Sequence, residues 1–238
     1  MAREFCKVQH MLNIIYQDKD VLVLNKPAGL LVHRAEGKDE VTLADLLLKE
    51  FPEVQGVGEH PDRPGIIHRL DQDVSGVMVV ARNQAAYDFL KKQFVERTMH
   101  KQYIALVHGK ILKDEGEIHL VIARSRPKAR MVARPDTQEG REAKTYWEVL
   151  DRFKNFTLMQ VRIETGRTHQ IRVHFHAIGH PLMGDPIYHI KRTHRKDIGR
   201  VFLHAEKLTL TLPSGEEKTF EAPMPEELTA ILKDLARK

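Results

Sequence analysis

The chain has 238 residues, 42% hydrophobic and 30% charged, with 38 Lys and Arg against 33 Asp and Glu and a net charge of +5. That length can bury a sizeable core as one large domain or two small ones, and the moderate positive excess suits an anionic partner without demanding one. The lone cysteine, Cys6, excludes a disulfide framework or a cysteine-built zinc site within the chain; no apolar run approaches the ~20 residues of a membrane span, and MAREFCKVQH lacks an apolar signal core, so a soluble protein of the reducing cytoplasm is expected.

In chain order, residues 1–11 read as a loosely held polar tail, and 12–238 as one folded domain. Leu12 to Asn25 runs LNIIY, QDKD, VLVLN, which predicts a β-hairpin. Lys26–Pro27–Ala28–Gly29 stops it, and Leu30–Leu31–Val32 resumes extended chain. Lys26 beside the fixed ring of Pro27 makes a rigid, positively charged corner, read either as a solvated turn lysine or as a contact to an anion. Thr42 to Phe51 has helical spacing, with Leu43, Leu46 and Leu47 on one face, Thr42 as N-cap and Pro52 as stop. Residues 52–65 hold three prolines and three glycines and form a loop.

That loop delivers His68 to Ala81, HRLDQDVSGVMVVA. His68, Arg69 and Asp71 precede a turn-prone Ser75–Gly76 pair and the run Val77–Ala81, which reads as a buried strand. Chemically able side chains on a loop entering a rigid strand are well placed for catalysis. On local sequence alone, however, Asp71 reads more readily as a turn carboxylate bonded to nearby backbone amides.

Asn83 caps a helix of about a dozen residues with the stripe Ala86, Phe89, Leu90, Phe94. His100–His108 reads as a strand in which Gln102, Ile104 and Leu106 face one way and Tyr103, Ala105 and Val107 the other. Further strands are predicted at Ile118–Ile122, Arg130–Arg134, Ala143–Leu150 and Phe156–Ile163; short turns between them imply antiparallel pairing. ARSRPKARMVAR, from Ala123 to Arg134, carries Arg124, Arg126, Lys128, Arg130 and Arg134 and no acid. Such a block repels itself unless it meets anions, so it reads as a backbone contact to a polyanion over a merely solvated hairpin.

Thr168 is the predicted N-cap of a helix carrying Ile171, Phe175 and Ile178 on one face and ended by Gly179 and Pro181. Arg172 falls near its first turn, off that stripe. An arginine between Ile171 and Val173 is not freely solvated and needs a carboxylate partner. Arg192 to Arg200 is a second basic loop. A strand at Lys207–Leu212, a turn at Pro213–Gly215, a partner strand at Lys218–Phe220 and a helix from Pro225 to Leu235 close the chain. The reading is α+β: a mainly antiparallel, mixed sheet with flanking helices.

The segment HRLDQDVSGVMVVAR resembles the signature of the RluA-type pseudouridine synthases, in which HRLD is followed by two variable residues, Ser/Thr–Ser–Gly and an apolar strand; Val74 stands where a threonine is usual. NKPAGLLVH, KQYIALVHG, ETGRTHQIRVHFHAIGHPLMGDPIY and Leu203–His204–Ala205 resemble the family's other motifs, so the likeness runs from about Leu12 to the end. It implies a catalytic domain with a central RNA-binding cleft that isomerises uridine in ribosomal or transfer RNA. Asp71 would be the catalytic aspartate, Arg172 the guanidinium that pairs with it, and Tyr103 the ring packed on the target base. The resemblance also puts Arg69 in the space the flipped nucleotide leaves, and makes RNA contacts of His68, Lys26, Arg124, Arg126, Lys128, Arg130 and Arg167. Many relatives carry an N-terminal RNA-binding domain of the S4 type; the dozen or so residues before the first hairpin leave it absent by expectation.

Pseudouridine formation is an isomerisation and needs an ionised carboxylate but no cofactor, so none is expected, and no metal. His169, His174, His176, His180 and Asp185 suggest a rival, metal-dependent hydrolase, but His169 and His174 are five apart and His174 and His176 two apart, not the i, i+4 spacing that puts two ligands on one helix face. A second rival, a non-catalytic RNA-binding module, needs neither Asp71 nor Arg172. Nothing in the sequence demands more than a monomer.

Overall fold

A computed structural model describes residues 12–34, 39–125, 130–190 and 198–236. Its frame is a 10-stranded sheet. Strands β1 (Ile14–Gln17) and β2 (Val21–Lys26) form the first hairpin, whose turn is held by Asp18 Oδ1 accepting from the amides of Asp20 and Val21, both at 2.7 Å. Strand β3 (Ser75–Ala81) follows the loop that carries Asp71. Strands β4 (His100–His108), β5 (Glu115–Ser125), β6 (Arg130–Arg134), β7 (Arg141–Arg152) and β8 (Phe156–Ile163) come next. Strands β9 (Leu203–Thr211) and β10 (Glu217–Glu221) complete the set. Their order is β1-β2-β3-β9-β4-β8-β7-β5-β6, with β10 against β9.

Every pair is antiparallel except β3 and β9, which run parallel where Ser75 and Gly76 meet His204 and Ala205. This is the mixed, mainly antiparallel α+β architecture the sequence predicts. Gly76 does not make a turn, as its partner Ser75 suggested; it lies inside β3 with φ of +124°, where a Cβ would stand 2.1 Å from the Ala205 carbonyl oxygen. The glycine is there for close approach of two backbones.

Four helices cover the sheet: α1 (Leu43–Glu50), α2 (Gln84–Glu96), α3 (Gln170–Ala177) and α4 (Glu226–Ala236). Thr42 and Asp45 form a reciprocal capping box on α1, and the Asn83 side chain accepts from Ala86 N on α2. One face of the sheet buries Met78, Val80, Tyr103, Ala105 and Val161 against Leu43 and Leu47 of α1 and Ile171 and Phe175 of α3. The other face buries Val77 and Val79 against Ala86 and Leu90 of α2, and Ile104 and Leu106 against Leu228 of α4. Strand β3 is thus covered on both sides, which is why its sequence is continuously apolar rather than alternating. The predicted stripes are narrower in fact: Phe89 is 38% and Ile178 41% exposed. Leu30–Val32 forms no strand, only a bridge from Leu31 to Thr42. Among the described residues no helix is long and apolar enough to cross a membrane.

Two histidines in this core make stability depend on pH. Burial, then the Lys101 charge, pulls His68 down from 6.5 to about 3. Burial pulls His174 down to about 4, against the Leu120 backbone, which favours its charged form. Below about pH 6.5 the unfolded chain binds protons that the folded chain refuses, so stability is full above that pH and falls as pH drops toward 4, by about 1.4 kcal/mol per pH unit for each histidine. Urea unfolding should therefore show a clearly lower midpoint at about pH 5 than at neutral pH; equal midpoints would rule out neutral, buried imidazoles at these two positions.

Candidate active site

The centre of the site is the guanidinium of Arg172, which is 3% exposed in the first turn of α3. Its Nε donates to Asp185 Oδ2 at 2.7 Å and its Nη2 to Asp185 Oδ1 at 3.0 Å, a two-pronged pair with a fully buried carboxylate. Nη1 donates to Asp71 Oδ2 at 3.0 Å. Burial opposes the arginine's charge, but Asp185 and then Asp71 outweigh it and raise its pKa. The sequence-based expectation of an Asp71–Arg172 pair therefore matches the geometry, while Asp185, the tighter partner, was not foreseen in that role. The usable signal was Gly184–Asp185. Gly184 has φ of +74°, and a Cβ on it would lie 2.1 Å from the Arg200 carbonyl oxygen, so only glycine lets the chain turn there.

Asp185 also accepts from the amides of Ile187 and Tyr188 at 2.8 and 2.9 Å. Tyr188 is set beneath the guanidinium, its ring centroid 5.3 Å from Arg172 Cζ. Its hydroxyl accepts from Met131 N at 3.2 Å and lies 3.0 Å from His169 Nδ1. His169 sits just before α3 at φ of 56°, a left-handed conformation that costs a non-glycine residue energy and gathers at functional sites. It replaces Thr168 as the residue preceding the helix and makes no side-chain cap. Instead Gln170 ties α3 down, accepting from Thr165 Oγ1 and Arg167 N and donating to Lys144 O. The strained backbone places His169 Nε2 3.9 Å from Asp71 Oδ2. Burial lowers the pKa of His169 despite the Asp71 charge.

Asp71, Arg69, Tyr103, His169 and Arg172 together line a cavity of about 520 Å³ that opens to solvent. Leu70 and Val74, 5% and 2% exposed, anchor the Asp71 loop in the core on either side of the carboxylate, whose side chain is 17% exposed. Burial, then the Asp71 charge, raises the Tyr103 pKa. Tyr103 is therefore a neutral phenol offering a ring face and a hydroxyl, not a phenolate base. Arg69 is exposed at the cavity mouth, 3.4 Å from His33 Nε2, with no carboxylate partner among the described residues.

The remaining predicted contacts divide. Lys26 is only 1% exposed, and its ammonium donates to the carbonyls of Pro27, Leu30 and Gln72 at 2.7, 2.9 and 3.1 Å. It is neither a solvated lysine nor a group free to meet RNA; it stitches its own loop to the residue after Asp71. His68 Nε2 accepts from Val79 N at 3.0 Å, which fixes the ring against β3 and leaves its proton on Nδ1. Arg130 donates to Ile187 O at 2.9 Å and lies over the Tyr188 ring, so it braces the site from beneath. Arg124 is exposed on β5, and Arg167 lines the cavity while its Nε donates to Glu142 O. Arg126 and Lys128 lie outside the described residues. Among the described residues no three His, Cys, Asp or Glu side chains converge as metal ligands.

Comparison with known proteins fits this geometry. The chain is 42% identical over 227 residues to the uncharacterized RNA pseudouridine synthase YlyB of Bacillus subtilis, covering 95% of this chain and 73% of that protein. It is 40% identical over 231 residues to ribosomal large subunit pseudouridine synthase D of Nitrosomonas europaea, covering 93% and 64%. Among curated relatives of this kind it spans from 57% to 73% of their length. The solved structure of human RNA pseudouridylate synthase domain containing 1 superimposes with a TM-score of 0.74 at 26% identity, covering 96% of each chain. Residues 20–177 match the family described as RNA pseudouridylate synthase, a span that holds Asp71, Tyr103 and Arg172, and the chain belongs to that family.

Proposed function

We propose that Asp71 is the group that detaches and rejoins the base of a uridine within RNA, acting at the floor of the 520 Å³ cavity. The reaction breaks the C1′–N1 bond, turns the uracil and joins C1′ to C5, with no atom gained or lost overall. The carboxylate serves either by attacking C1′ or by removing a proton from the sugar. The observation that carries this reading is the shared guanidinium. Arg172 is locked to Asp185 by two bonds, so its third nitrogen presents a fixed charge to Asp71, the most exposed of the three in the cavity, its side chain 17% accessible against 4% for Arg172 and 0% for Asp185.

A uridine inside a stem cannot reach a carboxylate so placed; the nucleotide must leave the stack, at a cost of a few kcal/mol. Arg69 stands at the mouth with a planar guanidinium that has no carboxylate partner among the described residues, able to stack where the base was. Tyr103 supplies a ring for the extruded base. The substrate is RNA, and because several relatives are named for the large ribosomal subunit, its RNA is the first to test. The cleft that receives it is formed by this cavity and the cation-lined groove beside it.

Three outcomes test the reading. Asp71→Asn should lower tritium release from RNA carrying 5-³H-uridine by roughly a thousandfold or more, with an unchanged melting curve because Arg172 keeps Asp185; full release by the purified variant would refute the assignment. Asp185→Ala should instead unfold at lower urea, by about 3–5 kcal/mol, because it strips a buried guanidinium of its main partner. Arg69→Ala should slow turnover of a uridine in a stem far more than one in a flexible loop; equal losses on both would remove Arg69 from the flipping step.

A further inference from the structure

Lys101 lies two residues before Tyr103 on β4, on the same face of the strand, and is 8% exposed. Its ammonium stands 4.6 Å from the centroid of the Phe94 ring. Among the described residues it has no ion pair and no hydrogen bond. Burial, then the charges of Arg167 and Arg97, both cations, pulls its pKa down to about 8. Buried charges are ordinarily paired. A ring face compensates a desolvated ammonium only in part, and two neighbouring guanidiniums make its position worse.

The setting says what is missing. Lys101 lines a groove of about 1550 Å³ with seven Lys and Arg side chains against a single acid, Glu164. That groove shares Arg69, Tyr103, Ile163, Gly166 and Arg167 with the cavity holding Asp71. Gly166 borders the lysine, and a Cβ there would stand 3.9 Å from Nζ, in ordinary contact. Arg97 reaches the groove from the C-terminal end of α2 in a left-handed conformation, φ of 59°, which no glycine relieves. Strain, burial and like charge are thus concentrated at one spot, and a single anion would offset the charge. Glu142 Oε2 lies 3.7 Å from Arg97 Nη2, but no carboxylate among the described residues pairs with Lys101, so the anion that would meet it comes from outside.

We propose that Lys101, with Arg97 and Arg167, seats one backbone phosphate of the RNA strand next to the target uridine, on the wall between groove and cavity. This rests on the reading of the chain as an enzyme acting on RNA. A phosphodiester carries one charge on two outward oxygens, which a compact ammonium and two planar guanidiniums can grip together. The contact is independent of base identity and fixes register, so that Tyr103, two residues along, meets the extruded base rather than its neighbour.

The test uses the full-length protein and a short fluorescein-labelled oligouridylate, with binding followed by anisotropy between about 50 and 200 mM salt. Lys101→Met should weaken binding several-fold and reduce the slope of log affinity against log salt by about 0.7, the share of one phosphate contact on a single strand. Lys101→Arg should keep the slope. Wild-type binding should also fall as pH rises through about 8, and the arginine variant should not follow it. An unchanged slope in Lys101→Met, or no binding of oligouridylate by the wild type, overturns the seat. Tritium release by the wild type from 5-³H-uridine-labelled large-subunit RNA keeps the two ideas apart: release with an unchanged slope removes the phosphate seat alone, whereas no release and no binding remove the RNA reading as well.

Discussion

One buried guanidinium divides its three nitrogens between two carboxylates, and the site is arranged around that division. Arg172 gives Nε and Nη2 to Asp185 and keeps Nη1 for Asp71. Burying these charges is costly, and such a pair often adds nothing to stability over an apolar replacement. What it adds here is placement. Asp185 is fully buried and held by two backbone amides, so it cannot yield. The arginine is therefore oriented from behind, and its remaining edge points toward a residue 101 positions earlier in the chain. Removing Asp71 leaves a paired arginine, while removing Asp185 leaves a stranded one. The two carboxylates look alike in sequence and differ entirely in what they support.

The loop carrying Asp71 is held by the same logic from the other side. Lys26 lends its ammonium to three carbonyls, one of them Gln72, and Gly29 N donates to the same carbonyl at 2.8 Å. Burial, then Arg200, pulls the lysine down to about 7, but three carbonyl dipoles aimed at it favour the charged form. His68 pins the loop's start to β3, and Leu70 and Val74 are sunk in the core. A carboxylate held at both flanks has little freedom to leave its guanidinium and swing into solvent, which is the condition for reacting in one geometry.

How much of this was legible in sequence depended on the range of the interaction. Strands β4, β6 and β8 and the caps of α1 and α2 were readable to the residue, because alternation and capping chemistry act over three or four positions. The Asp71–Arg172 pair was readable only through the resemblance of two motifs, since no local rule joins residues 101 apart. Lys26 was misread because burial is a tertiary fact. A lysine beside proline looks like a surface corner until the chain folds three carbonyls around it. The helix α3 begins one residue later than the sequence predicts: Thr168 is the better cap by type, yet His169 precedes the helix in a left-handed conformation, its ring 3.0 Å from the Tyr188 hydroxyl. Asp185 was hidden for the opposite reason: its role is defined by a partner that already had one carboxylate assigned to it.

The hydrogen-bond sense around Tyr188 fixes one more property of the site. Met131 N–H donates to the phenolic oxygen, so the tyrosine's own proton is free to go to His169 Nδ1. A neutral imidazole that accepts at Nδ1 carries its proton on Nε2. Burial lowers the pKa of His169, which favours that neutral form. Its Nε2–H then stands 3.9 Å from Asp71, beyond hydrogen-bond length. Among the described residues Asp71 consequently has one hydrogen-bond donor in contact, Arg172, and the imidazole just out of reach. Spacing in the sequence argues against the imidazole as a metal ligand, and the geometry makes it a neutral donor beside the acid, on a left-handed backbone.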